Sequence, residues 1–351
     1  MTRNRLAALL RLFPNRPVHG FAPCSDGNTV MSICLREIQL ASLSSEAPAA
    51  LAVQAAVLEA ATTRKPGLVC MDTQGVHRDM DIRTLVASAF SLHSYFMQIT
   101  ECGRIHAEAA PHDLFRRLRP LGCMAENAML AVTGGVNTHK GLIFSQGLVC
   151  AAAGRLAARS GAASAAAICT EASTFVHGLI EQDLASLRRK AGDFEAAARP
   201  WEEYLRAARQ RVGRDLSAGE ALYLRHGATG IRGEAEGGFP HVLLGLQRLQ
   251  EEAAHGDVNQ AILHTLLALM AEMQDTNILW RGGPGKLHAV QAMARRIPEL
   301  GGTTTPAGKA ALAELQSYCL THHLSPGGCA DMLSIALFFH LLLALDARKL
   351  P

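Results

Sequence analysis

The sequence predicts an all-α protein, and three observations carry that expectation. Alternating runs of Val, Ile, Thr and Tyr bounded by turn residues are scarce. Ala and Leu dominate. Apolar residues recur at helical spacing along most of the chain. With 351 residues, 49% of them hydrophobic, the chain can bury a sizeable core and is too apolar to be globally disordered.

Taken in order, residues 48–63 form an Ala-rich amphipathic stretch. Arg83 to Ile99 places Leu85, Val86, Ala89, Leu92, His93 and Phe96 on one helical face. His112 to Val132 begins just after Pro111, and a bend or break is expected near Pro120, because proline lacks the N–H and crowds the preceding turn. The stretches Leu142–Ala158, Ala163–Gln182, Pro240–Ala254, Val258–Gln274 and Cys329–Ala347 follow the same 3.6-residue logic. Residues 186–216 concentrate Arg, Lys, Asp and Glu. They read as a charged, solvated insertion, helical from Pro200 to Val212. The first 45 residues, with Arg3, Arg5, Arg11 and Arg16 and no acid before Asp26, read as a flexible N-terminal extension. Residues 46–351 then make one all-α domain.

Composition removes several classes of function. Lys and Arg number 34 against 31 Asp and Glu, so the chain is no polycation that coats nucleic acid. Aromatics are 5%, too few for a reader of single strands by base stacking. No nucleic-acid partner is expected. Nine scattered Cys without CxxC spacing read as small buried thiols in a reducing cytoplasm. The longest apolar run, Met332 to Leu345, is interrupted by His340 and is shorter than the ~18 residues of a membrane span. A buried core helix and no membrane partner are expected there.

Glycine clusters between the helical stretches. The runs are Lys65-Pro-Gly67, Thr133 to Gly141, Gly230 to Gly238, Arg281-Gly-Gly283 and Ser325-Pro-Gly-Gly328. Such loops expose backbone N–H groups, and the helix that follows adds its positive dipole end, so together they suit a polyanion. A single such loop is equally a helix C-cap followed by a turn. His77, Asp79 and Asp81 alternate just before a helix. They could share one pocket and suit Mg²⁺, or Asp79 or Asp81 could cap the helix near Ile82. In Thr133–Gly141, Lys140 and the amides at a helix start suit a phosphate, although the sequence is not a Walker A loop. Glu126 is a lone acid in an apolar helix and faces either solvent or a polar site. Asp275 poses the same question six residues before Arg281, and Arg232, Glu234 and Glu236 add one cation and two acids to a glycine-rich run. His112-Asp113 reads as helix capping after Pro111.

The runs Lys65-Pro-Gly-Leu-Val69, Gly75-Val-His-Arg-Asp-Met80, Leu118-Arg-Pro-Leu-Gly122, Thr133 to Gly141, Thr229-Gly-Ile-Arg-Gly-Glu-Ala-Glu236, Asp275-Thr-Asn277 with Arg281-Gly-Gly283, and Ser325 to Gly328 with Ala330-Asp331 resemble triphosphoribosyl-dephospho-CoA synthase, in order and in approximate spacing. That resemblance implies a catalytic domain joining ATP to 3′-dephospho-CoA. The product is 2′-(5″-triphosphoribosyl)-3′-dephospho-CoA, and adenine is released. It implies Mg²⁺ as cofactor and ATP as substrate. It also implies a downstream acyl-carrier subunit, of citrate lyase or malonate decarboxylase, reached through a separate transferase, and it leaves room for a homo-oligomer. The Arg232-Gly-Glu-Ala-Glu236 run is nearer the citrate lyase version.

Roles follow from the resemblance and the expected chemistry. Lys140, His139 and Arg281, with the loop amides, are expected to hold triphosphate oxygens. Lys65, Gly134, Gly135, Asn137, Thr138, Arg232, Gly327 and Gly328 complete the nucleotide site. Asp79 and Asp81, with His77, are expected to hold Mg²⁺. Glu126, Glu234 or Asp275 is expected to act as base or to face an oxocarbenium-like ribose carbon. The sequence departs from the family where Asp-Arg and a later Asn are usual, with Cys70, Met71 and Thr73. Those departures motivate an alternative, a relative that binds ATP or dephospho-CoA without turnover. A more distant alternative is an all-α metal-dependent phosphohydrolase using His112-Asp113.

Overall fold

The computed structural model describes residues 33–194, 200–253 and 257–347. Among them the chain forms fifteen α-helices, a short 3₁₀ turn at Gly302–Thr304 and one two-stranded sheet. In chain order, β1 (Glu37–Gln39) precedes α1 (Glu46–Ala61), α2 (Ile82–Ser91), α3 (His93–Ile105), α4 (Pro111–Val132) and α5 (Lys140–Arg159). Next come β2 (Ala162–Ser164), α6 (Ala165–Thr174), α7 (Leu179–Ala191), α8 (Trp201–Val212), α9 (Ala218–His226) and α10 (Gly230–Glu236). The last five are α11 (Pro240–Ala253), α12 (Val258–Glu272), α13 (Thr276–Glu299), α14 (Pro306–Thr321) and α15 (Gly327–Ala347).

Helix α15 is the centre of the core. It is apolar all round, and Met332 through Phe339 are all buried. A helix without a polar face is stable only when every side is covered. Here α1, α5, α11 and α12 cover it. Each fully buried Leu or Phe contributes roughly 1.5–3 kcal/mol of transfer free energy. Helices α5 and α15 are long and apolar enough to cross a membrane, but 72% and 67% of their apolar windows are buried inside the protein, as core helices require. Helix α5 packs closely on α3. Gly103 lies against the Ala151 carbonyl and Gly154 against the Thr100 carbonyl, where a Cβ would overlap the facing backbone. The Tyr95 hydroxyl donates to the Ile143 carbonyl at 2.8 Å and pins the same pair.

Several expected boundaries move. The stretch Arg83–Ile99 is two helices divided at Leu92, where the Ser91 hydroxyl bonds back to the Ser88 carbonyl. The stretch Ala163–Gln182 is a strand and two helices, because Ser164 caps α6 and the left-handed Gly178 separates α6 from α7. Helix α4 runs through Pro120 without the expected break. The carbonyl that Pro120 cannot bond belongs to Arg116, on the exposed side of the helix, where water can satisfy it. The Gly230–Gly238 run is not a loop. Residues Gly230–Glu236 are helical, held against α5 and α6 by tertiary contacts that outweigh the glycines' low propensity. Arg281-Gly-Gly283 lies within α13, at a kink where Gly283 has φ 73° before Pro284.

Residues 1–32 of the expected extension lie outside the described residues. Farther along it, Glu37–Gln39 pairs antiparallel with Ala162–Ser164, with Ile38 opposite Ala163. In the charged stretch, α8 matches the expected helix closely. Its Trp201 and Tyr204 pack with Phe194, at ring separations of 5.0–5.5 Å.

Candidate active site

The glycine-rich segments converge. Gly67 lies against the Leu324 carbonyl, so the loop after α1 touches the one before α15. His77 Nε2 sits 2.9 Å from the Ser325 hydroxyl. Gly141 at the start of α5 lies against the Asp331 carboxyl on α15. A Cβ at Gly230 would stand 2.9 Å from Thr276, and one at Gly327 2.8 Å from Asn277, which joins α10, α13 and α15. At Gly67 a side chain would overlap the facing backbone, while at Gly141, Gly230 and Gly327 the space a side chain would take is filled by the Asp331, Thr276 and Asn277 side chains.

Asp275 ties two helices together. It caps α13, accepting from the Asn277 and Ile278 amides at 2.8 and 3.1 Å. It also accepts from the Cys329 amide, on the first turn of α15, at 2.9 Å. Two positive helix ends therefore meet one carboxyl that is 1% exposed. Burial pushes the carboxyl up, and the three N–H bonds pull it back. With its oxygens taken by amides, Asp275 sits as an anchor, not as the free base expected from the sequence.

Lys65 is buried beneath this junction. Its Nζ donates to the Glu59 carbonyl at 2.6 Å and to Glu59 Oε1 at 2.5 Å. Both side chains are nearly inaccessible, 1% and 8% exposed. Cys70 closes the same turn, with its Sγ 3.3 Å from the Lys65 amide and its amide donating to the Thr73 carbonyl at 2.7 Å. Burial pushes the Cys70 thiol up to about 11. The thiol accepts the Lys65 N–H, as a carboxylate in that place could. Met71 and Thr73 are exposed.

His139 is buried at the start of α5. Its Nδ1 lies 2.7 Å from the Ser88 hydroxyl, which also meets the Thr138 hydroxyl at 2.6 Å. Burial, and then the Lys65 ammonium, push His139 down to about 4. It is neutral at pH 7, so it brings no positive charge to a phosphate, and a ring N–H is all it has to offer a triphosphate oxygen. Gly134 and Gly135 end α4 at φ 66° and 90°, and a Cβ on either would face open space. Asn137 caps the next turn, its Oδ1 accepting from the Lys140 amide at 3.2 Å. Lys140 is exposed and ion-paired to Glu126, so the acid in the apolar second half of α4 is the partner of that lysine.

Glu234 on α10 has a more enclosed position. Its Oε1 lies 2.5 Å from His241 Nδ1, and both side chains are largely buried. Its neighbour Glu236 accepts the Gly178 amide at 2.6 Å and holds the α6–α7 turn. Arg232 is exposed. Arg281 donates to the His323 carbonyl at 3.2 Å and is also exposed.

The expected metal set does not assemble. Asp81 caps α2, accepting from the Thr84 amide and hydroxyl at 2.9 Å each, which holds its carboxyl below the usual range. Asp79 is exposed and 3.8 Å from His77 Nδ1. Burial, and then the Arg281 charge, lower the pKa of His77. Among the described residues no three His, Cys, Asp or Glu side chains are grouped to hold a metal ion. His112 and Asp113 are also occupied: His112 Nε2 lies 3.0 Å from the His177 carbonyl, and Asp113 pairs with Arg116.

Two groups in the junction, Glu59 and Ser88, lie outside every motif in the sequence: Glu59 is in an Ala-rich helix and Ser88 looks like any helix serine. Asp331 stands in the Ala330-Asp331 run that carries the resemblance, but nothing in that run marks it as an acid that meets Gly141 and faces Asp275 and Glu59.

Comparison with known proteins shows the family. The family model described as CitG: ATP:dephospho-CoA triphosphoribosyl transferase matches residues 45–349. A Klebsiella pneumoniae protein named 2-(5''-triphosphoribosyl)-3'-dephosphocoenzyme-A synthase is 38% identical over 300 residues, 84% of this chain and 91% of that one. A probable synthase of the same name from Albidiferax ferrireducens is 39% identical over 303 residues, covering 84% and 89%. One from Pectobacterium atrosepticum is 38% identical over 291 residues, covering 82% and 86%. No solved structure matches the chain. The chain belongs to the ATP:dephospho-CoA triphosphoribosyl transferase family.

Proposed function

We propose that this protein transfers the triphosphoribosyl group of ATP to the ribose 2′-hydroxyl of 3′-dephospho-CoA and releases adenine. The product is the precursor of the citrate lyase prosthetic group, in keeping with the Arg232–Glu236 run, and an acyl-carrier subunit receives it later. The observation that carries the reading is the meeting of α13 and α15 at Asp275, with α5 against Asp331 and α10 against Thr276 beside it, in a chain of this family. The electrophile is C1′ of the ATP ribose. Exposed Lys140, Arg232 and Arg281, with the open backbone at Gly134 and Gly135, bind the triphosphate and orient it without cleaving it. Gly327 and Gly328 let the substrate approach the start of α15. Glu234, held by His241, takes the proton of the attacking hydroxyl. His77, Asp79 and Asp81 do not fit a Mg²⁺ ion: Asp81 is bound to Thr84 and His77 to Ser325, which leaves Asp79 alone. The scattered cysteines, free among the described residues, suit a reducing cytoplasm as the protein's place of work.

The test is an incubation of the purified protein with ATP and dephospho-CoA, with bases and phosphates followed by chromatography. Adenine release that depends on dephospho-CoA is expected. Binding of both substrates without adenine would support the binding-only alternative, and pyrophosphate or phosphate release would support a hydrolase.

A further inference from the structure

We propose that Asp331 is the general acid of this reaction, the group whose proton lets adenine leave C1′ of ATP. The proposal rests on the transferase reading. Asp331 stands on the second turn of α15 and is half-buried, with Gly327 and Gly328 partly open beside it. Gly141, at the positive end of α5, has no side chain, and that gap admits the Asp331 carboxyl. The carboxyl therefore borders both glycine-rich segments assigned to the nucleotide.

The neighbouring acids separate Asp331 from the rest. Glu59, facing it from α1, has the Lys65 ammonium. Asp275, facing it from the start of α13, has three amide donors. Glu234, beside Cys329 from α10, has the His241 ring. Other titratable groups at the junction are the buried Cys329 thiol, neutral His139, and His77 beside Ser325 with the Arg281 charge near it. Asp331 makes no hydrogen bond or ion pair with the described residues. A carboxyl among other acids, with no donor of its own, is the one that keeps a proton. Burial, then Glu59 and Asp275, push Asp331 well above the usual carboxylate range.

The step balances. The C1′–N9 bond breaks and its electron pair goes to adenine, while the Asp331 proton passes to a ring nitrogen of the departing base. The C1′–O2′ bond forms, and the hydroxyl proton passes to Glu234. Solvent then returns that proton to Asp331, so no proton is gained or lost overall.

The experiment compares adenine release by the wild type, Asp331→Asn and Asp331→Glu across pH. Wild type that binds both substrates and releases no adenine overturns the transferase reading, and this proposal with it. With an active wild type, Asp331→Asn should lower kcat by roughly 10²–10⁴-fold while the KM for ATP moves less than about threefold. The wild-type profile should fall on the alkaline side, as the acid loses its proton, and that limb should vanish in Asp331→Asn. Should the amide variant fail to fold, Asp331→Glu carries the test, with partial activity and a displaced alkaline limb. Retention of kcat within about tenfold in Asp331→Asn overturns the proposal and spares the transferase reading. So does a slow variant that keeps the wild-type alkaline limb, or an Asp331→Glu profile unmoved from the wild type.

Discussion

Glu126 and Glu234 are both candidate acids in sequence, one in an apolar stretch and one in a charged glycine-rich run, and folding gives them different work. Glu126 pairs with Lys140 on the surface, in high dielectric, where a single ion pair contributes less than about 1 kcal/mol. Glu234 is set against His241 in a largely buried contact, where its orientation is fixed. Glu126→Gln is therefore expected to leave the rate of adenine release within about threefold, while Glu234→Gln should lower kcat by roughly a hundredfold or more at unchanged stability. Steady-state kinetics with thermal melts of both variants checks this. Equal losses in the two would remove Glu234 from its assigned role. The same scale explains Cys70. Its sulfur receives the Lys65 amide, so the departure from the family pattern keeps the turn that buries Lys65.

Among the helices, α4 is the one most at odds with its own sequence. Pro120 removes one backbone hydrogen bond and crowds the turn before it, yet the helix spans Pro111–Val132 unbroken. Leu114, Leu118, Ala125 and Met129 lie on the buried face, on both sides of the proline, and their packing holds the two halves in line. Pro120→Ala is expected to raise the unfolding free energy by about 1–3 kcal/mol, measured by denaturant titration. No gain would mean that the helix already adjusts locally to the proline. Helix α10 is the opposite case. Its two glycines in seven residues make it a poor helix alone, and contacts with α5 and α6 hold it, which places Glu234 toward the junction.

The molecule as a whole should be sensitive to acid. His139 is held near pKa 4 when folded, against about 6.5 when unfolded. A depressed histidine contributes stability above the unfolded value, and that stability is lost as pH falls from 6.5 toward 4. The difference is on the order of 3 kcal/mol for this one group. Burial pushes His340 on α15 to about 4 as well, so it acts in the same direction. Asp331 acts in the opposite sense. Its raised carboxyl stabilises the fold at low pH, and that contribution is lost as pH rises above 3.8 toward its folded value. Melting temperatures taken across pH 4 to 7 should fall on the acid side, and the fall should shrink in His139→Gln. An unchanged slope in that variant would mean that His139 is not kept neutral by the fold.

The sequence by itself determined the all-helical class, most helix positions and the set of glycine-rich segments. Those features depend on local periodicity and on residues whose conformational limits travel with them. The segments around Lys65, Arg281 and Gly327 were legible as glycine-rich, but not that Lys65 would be buried against Glu59. Only the tertiary structure decided which acids meet. Glu59, Asp275 and Asp331 are far apart in the chain, and their hydrogen-bond partners are amides and charges supplied by other helices. A carboxyl's chemistry depends on burial and on the donors around it, and neither is written in the few residues on either side.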